Sequence, residues 1–365
     1  MKVLLIDPWD KDQLPPPSLG YLQAALKHWK VDVEAKNIAD VYSDDYDLIG
    51  VTFHSFSVKF ARQIRDRFKG KLICGGHHSS ALPEQMLSIG YDQVVIGEGE
   101  NAIIDIIQGN NSKIVTNCEH KYFNAINDIP FPDYKGFNFN SPHGIAIISS
   151  RGCPFNCNFC GSSNFWGHKY KSRSVDNVIL EIEKIKSEGY NTWIFYDDNF
   201  TANKKRVFEI CSYLDGKFIW ECVGRAESLD DELCKELYRA GCRRIHLGIE
   251  SLSQDALDRM NKNTTVDKMM KGIEVAENNG INTFSLFLVG LPGDTYKNIE
   301  ETRQNRLRSR VTQYGSNIAW VLPGTSIHQK AKERGFNNEV YLQSGVPFYT
   351  YEQSIETLTA WSKMI

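Results

Sequence analysis

Three cysteines within eight residues are the most distinctive chemical feature of this 365-residue sequence. The stretch CPFNCNFC covers residues 153–160 and spaces Cys153, Cys157 and Cys160 as C-x3-C-x2-C. Zinc normally takes four ligands, and His168 is the nearest candidate for a fourth. A [4Fe-4S] cluster takes one thiolate per iron, so three thiolates would leave one iron open to a substrate or cofactor. The spacing favours such an open cluster, and a structural zinc loop or three unrelated buried thiols are the alternatives.

The composition is that of an ordinary soluble protein, with 41% apolar residues, 24% charged residues and a net charge of -3. That charge argues against binding to bulk nucleic acid or to a membrane surface. No apolar run reaches the length of a membrane span, and MKVLLIDPWD lacks the apolar region of a signal peptide. We therefore predict a cytoplasmic protein, in which clustered cysteines indicate a metal or catalysis rather than disulfides.

The elements that must position these cysteines fall into two regions. In residues 1–125, short apolar strands alternate with helices, which predicts a doubly wound, Rossmann-like parallel sheet with its ligand at the carboxyl ends of the strands. The predicted strands are 3–6, 48–53, 72–73 and 93–96, and the predicted helices are 19–29, 58–68, 83–89 and 100–108. Residues 126–142 are the predicted linker, because the segment around them has three prolines and no helical period.

From residue 145 the alternation begins again, and Cys153 follows its first strand. The predicted strands are 145–149, 192–196, 218–223, 244–249, 283–288 and 316–321, and the predicted helices are 175–187, 204–214, 231–240, 266–278 and 296–307. Six βα units are too few for a closed eight-fold barrel, so we expect an open, partial (β/α)6 barrel over residues 143–330. Residues 331–365 read as a short, less regular C-terminal tail.

At this point the sequence resembles the radical S-adenosylmethionine (SAM) superfamily, whose hallmark is C-x3-C-x2-C on the loop after the first barrel strand. SSRGCPFNCNFC, residues 149–160, matches that hallmark in spacing and place. Later segments resemble the branch of the superfamily that has an N-terminal cobalamin-binding domain. They are YKSRSVDNVILEIE (170–183), FYDDNFT (195–201), WECVGRAE (220–227), AGCRRIHLGIES (240–251), FLVGLPGDT (287–295) and LPGT (322–325).

The resemblance implies that the three cysteines hold a [4Fe-4S] cluster and that the amino and carboxylate groups of SAM occupy its open iron. It also implies SAM contacts at later strand ends. These are Asp197, Asp198 and Asn199 for the methionine amino group, Arg225 for the carboxylate, Glu250 and Ser251 for the ribose, and Gly290 and Pro292 for the adenine. The sequence departs from the family here, because Asp-Asp-Asn stands where Gly-Gly-Glu is usual.

The first region resembles the cobalamin-binding domain of the same branch in PPPSLGYLQAAL (15–26), YDLIGVTFHSFS (46–57), ICGGHHSSALPEQML (73–87) and YDQVVIGEGE (91–100). The candidate cobalamin contacts are Thr52, Ser55, Gly75, Gly76, His78, Glu98 and Gly99. The D-x-H-x-x-G sequence that supplies a cobalt ligand in classical domains is absent after Ile6, so cobalt would not be held by that histidine. A retained fold without cobalamin is the alternative.

Together these features imply an enzyme that cleaves SAM to a 5′-deoxyadenosyl radical. Cobalamin-dependent methylation of an unactivated carbon is the favoured reaction, on an unknown small-molecule or peptide substrate and with an electron donor such as flavodoxin or ferredoxin. Cobalamin-independent rearrangement, cyclisation or epimerisation is the alternative. Methylthiolation is disfavoured, because only Cys74 and Cys118 lie in the first region. A non-catalytic iron–sulfur or zinc regulatory protein is a third hypothesis.

Overall fold

The computed structural model describes residues 1–8, 16–116, 121–137 and 143–365. The chain forms two compact units. Unit 1 comprises Met1–Pro142 and Asn337–Pro347, and unit 2 comprises His143–Phe336 and Phe348–Ile365. Cys118, the segment at 9–15 and the end of the predicted linker at 138–142 lie outside the described residues.

Unit 1 is built on a six-stranded sheet in which every strand pairing is parallel. The strands are β1 (Lys2–Asp7), β2 (Asp32–Asn37), β3 (Leu48–Thr52), β4 (Lys71–Gly75), β5 (Gln93–Ile96) and β6 (Ile114–Thr116). Their order is β2-β1-β3-β4-β5-β6, so the direction of winding reverses between β1 and β3. Open sheets of this kind bind ligands at the carboxyl ends of the strands, near that reversal.

The helices of unit 1 are α1 (Pro17–His28), α2 (Ala61–Arg67), α3 (His77–Ala81), α4 (Pro83–Ile89), α5 (Gly99–Ile107) and α14 (Glu339–Ser344). Leu19 and Leu26 of α1 pack with Ile103 of α5 against strand side chains such as Leu5. Both α1 and α4 begin at a proline, whose fixed φ angle suits a first helical position where no amide donor is needed. This unit confirms the predicted Rossmann-like architecture.

Two edge strands of this sheet were not predicted. β2 has the sequence DVEAKN, in which charged and apolar residues alternate, and only every second side chain is buried. Such a strand lacks the continuous apolar run of a central parallel strand. β6 is only three residues long. The predicted helix at 58–68 is a 3-10 turn followed by α2.

Unit 2 contains the predicted sheet of six parallel strands, which confirms the second half of the fold class. Its strands are β7 (Ile145–Ile147), β10 (Thr192–Phe195), β11 (Ile219–Gly224), β12 (Cys242–Glu250), β13 (Asn282–Val289) and β14 (Gln313–Ile318). They pair in chain order, with β7 and β14 at the two edges, so the sheet is open. A separate antiparallel pair joins β8 (Ser150–Arg151) to β9 (Lys171–Ser172).

The helices of unit 2 follow its strands. They are α6 (Gly161–Phe165), α7 (Val175–Ser187), α8 (Lys204–Tyr213), α9 (Asp231–Arg239), α10 (Gln254–Arg259), α11 (Val266–Asn278), α12 (Tyr296–Arg308), α13 (Ser326–Glu333) and α15 (Ile355–Met364). Seven of these helices begin after a Ser, Thr, Asn or Asp whose side chain accepts from a first-turn amide, as Ser174 does for α7 and Thr265 for α11. No helix of the described residues is long and apolar enough to cross a membrane.

Two histidines of unit 2 meet although they lie far apart in the sequence. His143 lies two residues before β7 and His246 lies in β12, and two strands separate β7 from β12 in the sheet. Their imidazole rings have centroids 5.6 Å apart.

Candidate functional site

The three cysteines lie on a long loop, residues 152–170, which we call the cysteine loop. Its two ends are joined by β8 and β9, where Ser150 pairs with Ser172 and Arg151 with Lys171. Gly152 has φ +80°, and a Cβ atom there would lie only 2.0 Å from the carbonyl oxygen of Lys169. Only glycine fits this close approach, so Gly152 allows the loop to close on itself.

The sulfur atoms of the cysteine loop suit a cluster better than a single metal ion. Cys157 is buried, and Cys153 and Cys160 are half-buried. Two sulfurs bound to one zinc lie within about 4.6 Å of each other, because each Zn–S bond is about 2.3 Å. Among the described residues, one set of three His, Cys, Asp or Glu ligand atoms lies within 4.8 Å, and these cysteines are not in it. The exposed His168 is not in it either.

Burial affects the acidity of two thiols of the cysteine loop. Burial raises the pKa of Cys153 above the ordinary thiol value, and burial also raises the pKa of Cys160. A thiol must lose its proton to bind iron, so loading the loop releases protons.

Arg225 lies beside the cysteine loop, just after β11. Its Nη1 atom donates to Cys157 Sγ at 3.3 Å, and its guanidinium lies 3.9 Å from the ring centroid of Phe155. Its other nitrogens donate to Glu227 and to the carbonyl oxygen of Lys262. Burial disfavours the charged form of Arg225 and so lowers its pKa. The contacts with Glu227 and Cys157 outweigh that effect, and the pKa of Arg225 is raised. A permanent positive charge therefore lies against the cysteine that is most buried.

Two polar residues after β10 also hold the cysteine loop. Asp198 accepts from the backbone amide of Gly152 at 2.9 Å and from the Ser162 hydroxyl. The side-chain amide of Asn199 lies 4.0 Å from Cys153 Sγ. The sequence-predicted residues Asp198, Asn199 and Arg225 are thus brought together with the cysteines at the carboxyl ends of β10 and β11.

The Asp197 side chain contacts the residues that precede the cysteine loop and not the loop itself. Its two carboxylate oxygens accept from the Ser149 amide and hydroxyl, both at 2.6 Å, and from the Ser150 hydroxyl at 2.7 Å. Arg206 donates to the Ser149 hydroxyl at 3.1 Å and to the Ser149 carbonyl oxygen at 2.8 Å. All of these groups are buried. Asp197 therefore fixes the backbone that leads into the cysteine loop.

Glu250 ends β12 in an unusual backbone conformation. Its φ is +64°, which is uncommon for a residue other than glycine, and it lies at a register shift in the β12–β13 pairing. The buried Lys262 ammonium donates to the Gly248 carbonyl oxygen at 2.5 Å and to Glu250 Oε1 at 3.2 Å. Backbone strain of this kind tends to concentrate at functional sites. Ser251 is instead buried against α12, with its hydroxyl 2.8 Å from the Thr302 hydroxyl.

The turn after β13 contains Gly290 and Pro292. The Asp294 carboxylate accepts from the amides of Gly290 at 2.9 Å and Leu291 at 3.0 Å. Gly290 has φ +81°, and a Cβ atom there would lie 2.6 Å from a methyl group of Leu358 in α15. The turn is thus rigid and closely packed.

In unit 1, the candidate cobalamin contacts gather after β3, β4 and β5. Gly75 ends β4, and Gly76 has φ +93° with no room for a Cβ, which would lie 2.8 Å from the Phe53 carbonyl oxygen and 2.9 Å from the Thr52 hydroxyl. Gly99 begins α5 directly after Glu98. Small residues at these strand ends leave room for a large ring to approach the backbone.

His78 is engaged within unit 1. Its ring nitrogens lie 3.2 Å from the Ser55 hydroxyl and 2.9 Å from Gln85 Oε1, and the side chain is fully buried. Its ring also packs edge-on against Tyr341 of α14, with centroids 5.2 Å apart. This position suits a structural role for His78 and Ser55 more than contact with a cofactor.

Lys262, Glu227 and Ser162 belong to the same region and were missed by sequence reasoning. Their partners lie elsewhere in the sequence, or their own segment contains no recognisable motif, as in MNKNTT around Lys262. Only the contacts with Glu250, Arg225 and Asp198 identify them.

Comparison with known proteins agrees with this geometry. Residues 147–305 match the family model described as Radical SAM superfamily. A protein of Pyrococcus horikoshii named as an uncharacterized methyltransferase is 26% identical, over 91% of this chain and 83% of its own length. Bacteriochlorophyllide d C-8(2)-methyltransferase of Chlorobaculum tepidum is 29% identical, over 80% of this chain and 70% of its own length.

A solved structure extends the likeness to both units. The radical SAM methyltransferase TsrM of Kitasatospora setae, solved with cobalamin and a [4Fe-4S] cluster bound, has a TM-score of 0.71. The match covers 92% of this chain and 78% of that one, and at 18% identity it concerns the fold. The cysteine loop, the open parallel sheet that carries it and the matching family model lead to one conclusion: residues 147–305 of this chain form a domain of the radical SAM superfamily.

Proposed function

We propose that this protein is a cobalamin-dependent radical SAM methyltransferase acting on an unactivated carbon of a small-molecule or peptide substrate. The observation that carries the proposal is the meeting of Cys153, Cys157 and Cys160 with Arg225, Asp198 and Asn199 at one end of the unit 2 sheet. The methyltransferase names of the two relatives and the bound cobalamin in the TsrM structure support its finer part.

The residues fit the groups that this function needs. The cysteines share one loop, and their three sulfurs do not all lie within 4.8 Å of one another, as three ligands of one ion would. When bound, the cluster would supply the electron that splits SAM into methionine and a 5′-deoxyadenosyl radical, and cobalamin would carry the methyl group. Cys153, Cys157 and Cys160 would hold the cluster, and the glycine-lined strand ends of unit 1 would receive cobalamin.

The other residues would position SAM and protect the site. Arg225 already donates to Cys157 and would place positive charge beside the SAM carboxylate. Asn199 and Asp198 would face the methionine amino group, while Asp197 keeps the loop in place from behind. Glu250, whose carboxylate is held by Lys262, would accept hydrogen bonds from the ribose hydroxyls. The turn at Gly290 and Pro292 would lie against the adenine.

The test is anaerobic reconstitution with iron, sulfide and cobalamin, followed by desalting. Iron and corrinoid are then counted, and methionine and 5′-deoxyadenosine are measured after SAM and a reductant are added. We expect about four irons and one corrinoid per chain, with SAM cleavage lost in Cys157→Ala. Cys211→Ala is the matched control, because Cys211 is a buried thiol of the same unit that lies outside the cysteine loop.

Each other outcome selects an alternative. SAM cleavage without retained corrinoid would favour a cobalamin-independent rearrangement, cyclisation or epimerisation. A loaded cluster without SAM cleavage would indicate a non-catalytic iron–sulfur protein. A cytoplasmic location and an electron donor such as flavodoxin or ferredoxin are part of the same proposal, and replacing the chemical reductant by either protein in this assay tests the donor.

A further inference from the structure

A second group of metal-binding side chains lies in unit 2, apart from the cysteine loop. We call His143, Glu221 and His246 the His–Glu–His cluster. His143 Nδ1 lies 2.9 Å from Glu221 Oε2, and His246 Nε2 lies 2.7 Å from that same oxygen. All three ligand atoms lie within 4.8 Å of one another. Both imidazoles thus direct a ring nitrogen at one carboxylate oxygen.

This cluster lies at strands β11 and β12 of the unit 2 sheet and away from the cysteines. Glu221 is half-buried between Trp220 and Cys222, which are fully buried in the core of the unit. Arg225, which contacts Cys157, comes four residues later along the chain, or about 13 Å at 3.3 Å per strand residue. The cluster therefore lies well before the carboxyl ends of the strands, and none of its residues has a role in the function proposed above.

The surroundings resemble those of a metal ligand set. The second oxygen of Glu221, Oε1, lies 3.4 Å from Arg244 Nη1. Carboxylates that bind metal ions are commonly held through their other oxygen by a hydrogen-bond donor of this kind. The three side chains are 31%, 16% and 19% exposed, so a small ion can reach them from solvent. The ring of His246 is further packed against Phe284, with centroids 5.8 Å apart, which limits its rotation.

We propose that the His–Glu–His cluster binds one divalent transition metal ion, with zinc the best match. Two imidazole nitrogens and one carboxylate oxygen are the ligand types that zinc prefers, and a water molecule would complete four-coordination. Tetrahedral zinc with bonds of about 2.1 Å needs ligand atoms about 3.4 Å apart, so the two nitrogens must move away from the Glu221 oxygen by about 0.5 Å for His143 and about 0.7 Å for His246. Bound metal would link His143, the first residue of unit 2, to strands β11 and β12.

The test uses the full-length, cluster-loaded protein, so that iron already occupies the cysteines. The protein is equilibrated anaerobically with zinc against a chromophoric chelator, and zinc and iron per chain are counted. X-ray absorption at the zinc edge then identifies the donor atoms. We expect one zinc per chain with nitrogen or oxygen neighbours near 2.0 Å and no sulfur neighbour at 2.3 Å.

Three variants and one control locate the site. His143→Gln, Glu221→Gln and His246→Gln should each weaken zinc binding by more than about 100-fold, because loss of an outer-shell partner alone costs 10- to 100-fold. His28→Gln, which alters an exposed histidine of unit 1, should bind zinc as the unchanged protein does. Equal iron content and equal thermal unfolding temperature without zinc identify the variants that fold normally.

Some results would overturn the proposal. They are zinc with sulfur neighbours, no zinc bound at micromolar concentrations, or unchanged zinc affinity in the normally folded Glu221→Gln variant. The cluster would then be a hydrogen-bond network only. None of these readouts depends on SAM cleavage or methyl transfer, so the result is independent of the function proposed above.

Discussion

The Arg225 guanidinium lies 3.3 Å from Cys157 Sγ and 3.9 Å from the Phe155 ring centroid. Both partners belong to the cysteine loop, whereas Arg225 follows the third strand of the unit 2 sheet. A cationic donor at a cluster sulfur stabilises the more negative, reduced cluster and so raises its reduction potential. Arg225 is therefore suited to tune the cluster as well as to bind the SAM carboxylate.

Arg225→Gln should lower the reduction potential of the cluster. The expected shift is about 40 mV for each kcal/mol of lost preferential stabilisation, because a tenfold change in a one-electron equilibrium corresponds to about 59 mV. Potentiometric titration of the anaerobic protein measures it, with Arg239→Gln as the control, because Arg239 is exposed on α9. An unchanged potential at full iron content would rule out this tuning role.

Gly152→Ala should prevent the cysteine loop from closing. The new methyl group would lie 2.0 Å from the Lys169 carbonyl oxygen, so the loop must open or distort and iron content should fall well below that of the unchanged protein. Gly167→Ala is the matched control, because Gly167 lies in the same loop with φ +61° and has nothing within 4 Å of its position for a Cβ. If both variants lose iron equally, backbone strain rather than the clash is responsible.

Asp197→Ala should mainly lower the stability of the protein, whereas Asp198→Ala should mainly weaken cluster binding. Loss of Asp197 leaves the Ser149 amide and two buried hydroxyls without their acceptor, which should cost about 3 kcal/mol or more of unfolding free energy. Loss of the exposed Asp198 should change stability by about 1 kcal/mol or less but reduce iron retention. Urea unfolding and iron analysis after desalting give the two quantities, and the reverse pattern would contradict the assignment.

Glu250→Gly should relieve backbone strain while weakening SAM binding. Glycine adopts a φ of +64° freely, whereas alanine there costs about 1–2 kcal/mol, so Glu250→Ala should be less stable than Glu250→Gly by about that amount. Both variants remove the carboxylate, and both should bind SAM more weakly in equilibrium dialysis. Full SAM affinity in either variant would remove Glu250 from the binding site and leave its conformation as a feature of the fold.

The sequence predicted the elements that have a continuous apolar run or a clear helical period and missed those that have neither. The strand at 93–96 and the helices at 83–89, 175–187 and 266–278 have the predicted bounds. The edge strand Asp32–Asn37 was missed because its charged residues face solvent. The C-terminal residues 331–365, which read as less regular, contain the end of α13 and all of α14 and α15, and such short helices give a weak periodic signal.

The site was predictable in outline but not in its detailed contacts. Successive residues of an extended chain point to opposite sides, so Asp197 and Asp198 were bound to diverge although the sequence motif groups them. Alternation alone does not say which of the two faces the cysteines. The His–Glu–His cluster joins residues 143, 221 and 246, which are far apart in the sequence and meet only in the folded unit. No local pattern identifies such a set.

The division of the chain into units bears on the order in which the protein matures. α14 belongs to unit 1, where Glu339 pairs with Arg62 at 2.8 Å and the Asn338 carbonyl oxygen accepts from Gln85 at 2.8 Å. During synthesis, unit 1 must therefore wait for a segment that leaves the ribosome after nearly all of unit 2. A fragment that stops at residue 142 would lack α14, and the buried His78 would lose the Tyr341 ring that packs against it. The amino-terminal unit is thus completed only after residues 143–336 of the other unit have been translated, although its own synthesis begins first.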